Sequence, residues 1–253
     1  MTLRRLFLTT LGRWSVYIDV EGFSAIHRQS EVRALQLLGK LMEAVYLVGI
    51  GFPTDTHECL FVHQIGDGFL IVSSFPEPTL QRPLAIAVGL MQHLLVSGGV
   101  GRCGISAGTF ADVSSCYPDA VKKSWDANGC LRLGNGLMTT FPVMGTALIN
   151  SFKAQQNGTK GPLLFIDPAF ANLVTNKDVR YLRRDRRYVV VDWINSQPPL
   201  LDIAFKALGS KEPEASQLRW LLQSYVSETE PRTSNRWRHN ALKMAKADEG
   251  QGI

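Results

Sequence analysis

Two short segments constrain this chain more than any other part of it: Tyr17-Ile18-Asp19-Val20-Glu21-Gly22-Phe23-Ser24 and His63-Gln64-Ile65-Gly66-Asp67-Gly68-Phe69. Each closes a β-branched or apolar run with an aspartate and a glycine turn. Two carboxylates, Asp19 and Asp67, can therefore emerge from neighbouring strands at one end of a sheet, a geometry able to hold a pair of divalent cations. Magnesium and manganese are hard cations that take oxygen ligands, through one or two carboxylates plus the phosphates of a substrate. Two of them about 4 Å apart clamp the attacking and leaving oxygens of an in-line phosphoryl displacement. The turn Val20-Glu21-Gly22-Phe23-Ser24 adds successive backbone amides beside a helix start, where the helix dipole favours phosphate. The pair reads as a nucleoside-triphosphate site. Taken singly, Asp19 can be a helix cap and Gly66-Asp67-Gly68 a plain hairpin turn; the two together, in this order, are far more specific.

The pattern around these segments sets the fold class. A strand is predicted over 14–20, a helix over 30–48 through Val32, Leu35, Leu38, Leu41, Met42 and Val45, and strands over 59–65 and 69–73. A second helix over 83–96 and a strand over 101–110 follow. The order β-α-β-β-α-β predicts an α+β protein with a ferredoxin-like core. Further on, 142–156 reads as a loop and helix, 163–166 and 187–193 as late strands, and 215–226 as a helix. A polar tail is expected from 227 onward. Residues 1–200 are taken as the catalytic domain and 201–253 as a helical extension and tail.

With 253 residues, 45% of them hydrophobic and 19% charged, the chain can bury a substantial core. The net charge of +5 suits a polyanionic substrate, and equally nucleic acid or an anionic surface. The interleaved aromatics and glycines of RNA-binding sheets are missing, so no nucleic-acid partner is expected. Cys59, Cys103, Cys116 and Cys130 form no CxxC pair, which argues against zinc and for reduced thiols. Arg4-Arg5 and the run from Leu6 to Leu11 imitate a signal peptide, but Arg13 interrupts it and cleavage there would clip the strand presenting Asp19. No apolar run approaches the ~20 residues of a membrane span, and the expected location is cytoplasmic.

Asp19-Val20-Glu21-Gly22-Phe23-Ser24 resembles the first metal motif of the class III nucleotide cyclases, the family of adenylate and guanylate cyclase catalytic domains. Ile65-Gly66-Asp67-Gly68-Phe69 resembles their second, and Gly101-Arg102-Cys103-Gly104-Ile105-Ser106-Ala107-Gly108 the strand that follows. A weaker match runs from Gly145 to Lys153, and roughly the last 50 residues are uncovered. The resemblance implies that Asp19, Asp67 and the Val20 carbonyl bind two Mg²⁺ or Mn²⁺ ions. These would activate the ribose 3′-hydroxyl of a nucleoside triphosphate and hold the triphosphate. It further implies substrate contacts from Gly22, Phe23, Ser24, His63, Arg102 and Arg184, the last within the cluster Arg183, Arg184, Arg186 and Arg187. Solvated charge is the other reading of that cluster. Lys153 stands where the family has a transition-state arginine, and Asn150 lies one position from its ribose-orienting asparagine. In the family the active site forms between two chains, which implies a homodimer.

Adenylate cyclases read the purine with a lysine and an aspartate, guanylate cyclases with a glutamate and a cysteine. Here His63 falls at the first position and Pro142 near the second, so neither pair is present. In that departure the chain is similar to the bacterial Pycsar pyrimidine cyclases, which make cyclic UMP or cyclic CMP to activate a separate effector in antiphage defence. The resemblance implies UTP narrowly ahead of CTP as substrate. A purine cyclase in ordinary signalling and a catalytically inactive nucleotide-binding module are the alternatives.

Overall fold

A computed structural model of the chain describes residues 12–52, 58–124, 130–133, 135–174, 179–184, 187–229 and 233–246; the signal-like run before residue 12 lies outside them. The first half runs β1 (Arg13–Val20), α1 (Phe23–Gln29), α2 (Glu31–Gly51), β2 (Leu60–Ile65), β3 (Gly68–Pro76), α3 (Gln81–Val96) and β4 (Gly101–Gly108). These four strands stand in the order β4-β1-β3-β2, every neighbouring pair antiparallel. That is the ferredoxin-like arrangement of an α+β protein.

The chain then forms β5 (Ala111–Asp112), α4 (Asp119–Lys123), β6 (Cys130–Leu133), β7 (Gly136–Thr139) and β8 (Val143–Met144), with β5 pairing β8 and β6 pairing β7 outside the main sheet. Next come α5 (Thr146–Asn157), β9 (Leu164–Ile166), β10 (Tyr181–Arg184) and β11 (Val189–Val191). β9 joins β4 in parallel, and β11 and β10 follow it, giving a seven-stranded sheet in the order β10-β11-β9-β4-β1-β3-β2. The helices α6 (Leu201–Ala207), α7 (Ala215–Thr229) and α8 (Asn235–Lys246) complete the described chain.

Alternation along β1 sorts the two faces of the sheet. Val16, Ile18 and Val20 enter the main core with Leu41, Val48, Leu84, Met91 and Ile105, beneath α2 and α3. Tyr17 points the other way, into a second cluster with Leu70, Val72, Val143 and Leu148. Helix α5 lies on this second face, close against β4. A Cβ on Gly104 would come 2.7 Å from the Gln155 backbone nitrogen, so only glycine lets the helix descend that far. Buried Ser15 and Ser151 bridge strand and helix through their hydroxyls at 2.6 Å.

Three features depart from the sequence expectation. The segment ahead of α2 is itself helical, and Ser30 separates the two helices by capping α2, its hydroxyl accepting from the Arg33 N–H at 3.2 Å. Helix α2 is long and apolar enough, by length and composition, to cross a membrane, although no such run was counted in the sequence. Its inner residues Ala34, Leu37, Leu41, Ala44, Val45 and Val48 pack into the core. Lastly, the expected polar tail contains α8, which buries Trp237, Ala241, Met244 and Ala245 in the same core as the sheet.

Candidate functional site

Asp19 stands next to last on β1, opposite Gly68 of β3 and Arg102 of β4. Asp67 sits in the two-residue turn between β2 and β3, where Gly66 takes the positive φ of 62° that such a turn favours in glycine. Strand pairing thus brings the two sequence-predicted metal carboxylates to one end of the sheet. Gly68 keeps the space between them open: a Cβ there would meet the Tyr17 ring at 2.8 Å and the Asp19 Cβ at 3.1 Å.

The electrostatics suit a cation. Burial first, then the charges of Glu21 and Asp67, push the Asp19 carboxyl up to about 7. Arg102 and the Gln155 amide act in the opposite sense. Burial also raises Asp67, and it raises the Tyr17 phenol further still, with Asp19 and Asp67 adding to the effect. Asp19 Oδ2 accepts from Gln155 Nε2 at 2.6 Å, while its Oδ1 is buried with no hydrogen-bond partner. A buried carboxylate oxygen without a donor is costly unless a cation completes it. Among the described residues no group of three or more His, Cys, Asp and Glu side chains forms a metal cluster. The two carboxylates offer oxygen donors only, which fits Mg²⁺ or Mn²⁺ completed by substrate phosphates.

Gly22 caps α1 in the left-handed conformation at φ 78°, and Phe23 and Ser24 open that helix. Arg102 is 5% exposed, held by the Gly158 carbonyl at 2.6 Å, by the Phe165 ring at 5.3 Å and by Glu21 at 3.8 Å. It serves this chain's own carboxylates from inside the sheet, not an open groove. Glu21 also accepts from the Trp237 indole and the Gly161 amide. Arg184 falls on β10, beyond β9 and β11 from β4, and its side chain lies outside the described residues.

Helix α5 divides its polar residues between two sides. Lys153 is exposed, with exposed Ile149 one turn before it, and Asn150 is half-buried. The α5 group that reaches Asp19 is Gln155, which the sequence reading missed. Its signal was a polar pair, Ser151 and Gln155, among the buried residues of a helix whose other inward positions are Ala147, Leu148 and Ala154. His63 pairs with Leu70, which in turn pairs with Tyr17, so it shares the face of Asp19. The His63 ring stacks on Phe141 with centroids 4.5 Å apart and planes 12° off parallel, and burial lowers its pKa. One residue before Phe141, the Thr140 hydroxyl is buried without a partner.

No protein-family model matches the chain, and no curated protein matches it. Among solved structures it is similar to a bacterial light-regulated adenylyl cyclase, with a TM-score of 0.47 and 11% identity over 79% of this chain. It is also similar to the adenylyl cyclase CyaB from P. aeruginosa, with a TM-score of 0.42 and 13% identity over 71% of this chain and 92% of that one. The chain spans 57% of the length of the light-regulated protein. Likeness this distant leaves the activity to be argued from the site.

Proposed function

We propose that the chain is a nucleotidyl cyclase converting a pyrimidine nucleoside triphosphate, UTP ahead of CTP, into the 3′,5′-cyclic monophosphate and pyrophosphate. The observation that carries the reading is the meeting of Asp19 and Asp67 at one sheet end with Asp19 Oδ1 unsatisfied. Asp19, Asp67 and the Val20 carbonyl would hold two Mg²⁺ or Mn²⁺ ions, which would supply acidification of the 3′-hydroxyl and neutralisation of phosphate charge. The backbone of Gly22, Phe23 and Ser24 binds the triphosphate. The ribose 3′-oxygen attacks the α-phosphorus, the bond to the bridging oxygen breaks, the hydroxyl proton passes to solvent and pyrophosphate departs.

The transition-state cation comes from a second copy. Lys153 is exposed, and so are Ile149 and Phe152 of the same helix, Met144 just before it and Ile65 on the same face of the sheet. Exposed apolar side chains gathered on one face favour a protein partner, and a homodimer supplies Lys153 and Asn150 to the site of the opposite chain. The base lies toward His63, Phe141 and Thr140. The stacked ring pair offers an aromatic surface for a base, the Thr140 hydroxyl beside it has no partner of its own, and the choice of a pyrimidine rests on the resemblance to the Pycsar cyclases. The cytoplasmic setting, the antiphage role and a separate effector protein rest on the resemblance to the Pycsar cyclases.

The test is incubation of the purified protein with ATP, GTP, CTP and UTP in turn with Mn²⁺, the products identified by chromatography and mass. Cyclic UMP that disappears in Asp67→Ala is the expected result. Cyclic AMP or cyclic GMP as the main product overturns the base assignment, and no product from any triphosphate overturns the cyclase reading.

A further inference from the structure

Between α1 and the start of α2 on one side and α7 and α8 on the other lies a cavity of about 300 Å³. It adjoins the triphosphate site at Gly22, which lines both, and extends away from it: helix α1 faces the cavity with Ala25, Ile26 and Gln29, whereas Phe23 and Ser24 do not line it. Tyr225, Thr229, Thr233, Ser234 and Trp237 of its wall come from α7, α8 and the residues between them, which the cyclase resemblance does not reach.

The lining divides into three chemistries. Tyr225 and Trp237, with ring centroids 6.3 Å apart and planes tilted by 40°, make an aromatic wall beside Ile26. Arg33 and Lys160 bring two cations to it. Among the described residues neither lies within ion-pair distance of a carboxylate; Glu21, the one lining carboxylate, feels the charge of Lys160 but sits 3.8 Å from Arg102, the larger of the two influences on it. The charge left for an occupant is positive. Ser30 and Ser234 supply hydroxyls that accept the backbone N–H of Arg33 and of Trp237, so each keeps its O–H proton to donate.

An aromatic wall, hydroxyl donors and two cations match, in turn, the base, the ribose and the phosphate of one molecule. The volume stands at the lower end of the range for small-molecule pockets, about 300 to 1,000 Å³, which fits one nucleotide and not two. We propose that this cavity binds a nucleoside monophosphate, linear or cyclic, as a site separate from the catalytic one. The phosphate is held by Arg33 and Lys160, and the base lies against Trp237 and Tyr225.

The experiment is calorimetric titration of the full-length Asp67→Ala chain in EDTA with 5′-UMP, 5′-AMP and cyclic UMP as probes. Turnover and metal play no part, so the outcome is independent of the cyclase reading. Saturable binding of one molecule per chain is expected, weakened about tenfold or more by Arg33→Ala and by Lys160→Ala, each removing a charged phosphate partner. Both residues are exposed, and circular dichroism confirms that the variants fold. Tighter binding of cyclic UMP identifies the reaction product as the occupant; tighter binding of a 5′-monophosphate identifies the linear nucleotide. No saturable binding of any probe in the millimolar range overturns the proposal, as does binding that both substitutions leave unchanged.

Discussion

The Gln155 amide donates to Asp19 Oδ2 at 2.6 Å, so the helix that carries Lys153 outward is tied by its other side to the carboxylate at the sheet end. The bond fixes the rotamer of Asp19 and leaves Oδ1 as the oxygen for a cation. Outer partners of metal ligands typically account for 10–100-fold in metal affinity. Gln155→Ala is therefore expected to weaken Mn²⁺ binding about tenfold, read by calorimetry or by the electron paramagnetic resonance signal of free Mn²⁺. An unchanged affinity would show that the bond does not position Asp19 for metal.

Gly68 faces both Tyr17 and Asp19, and a methyl group there has no room. Gly68→Ala is expected to destabilise by about 1–3 kcal/mol, the usual cost of overpacking. Adding Tyr17→Ala removes the ring in the way, so the double variant should lose less than the sum of the two single losses. Urea midpoints of the four proteins measure this coupling, and strict additivity would count against the clash.

The raised pKa of Asp19 makes stability depend on pH. In the unfolded chain its carboxyl ionises near the ordinary value of 3.8, in the folded chain near 7. Between those values the folded state holds the proton that the unfolded state has released. The stabilising contribution is therefore complete at pH below about 4 and is lost as pH rises through 7, an effect on the order of 4 kcal/mol. Without metal, Asp19→Asn should melt higher than wild type at pH 8, and the gap should close at pH 4. Mn²⁺ should raise the wild-type melting temperature at pH 8 and leave the variant unmoved. A gap that persists at pH 4 would mean that Asn stabilises for another reason.

A division of labour between chains is checked by mixing. Asp67→Ala and Lys153→Ala are each expected to be inactive alone, and a mixture should recover activity, since one site of each heterodimer is intact. Two folded, dimerising variants that recover nothing would place the metal carboxylates and the cation in the same chain's site.

Trp237 is 6% exposed and packs beside Tyr225. Trp237→Ala should cost about 3–5 kcal/mol, as large-to-small core changes do. A loss below about 1 kcal/mol in urea unfolding would indicate that α8 docks only weakly.

The order of strands and helices through β4 was legible because periods of two and of three to four residues alternate with clear glycine turns. The meeting of Asp19 and Asp67 at one end of the sheet was legible for the same reason: one closes a strand ahead of a glycine turn and the other sits in a glycine turn between two strands. Helix α8 was harder. Its buried positions Trp237, Ala241, Met244 and Ala245 do keep helical spacing, but Arg236, Arg238, His239, Asn240 and Lys243 surround them and lower the apparent hydrophobicity. Gln155 was hidden because nothing in a single sequence says which polar residue of a helix turns inward until the strand beneath it is known. Arg102, read as a substrate contact from its motif, proved to be buried against Phe165, an outcome set by β9, which joins the sheet some 60 residues later in the chain.

Glu21 and Trp237 stand more than 200 residues apart in the sequence and line the same cavity. The turn that follows β1 therefore gains one wall of its surroundings only when α8 has docked. The carboxylate end of the sheet and the carboxyl-terminal helices are thus expected to melt as one cooperative unit, although a reader of the sequence would divide them.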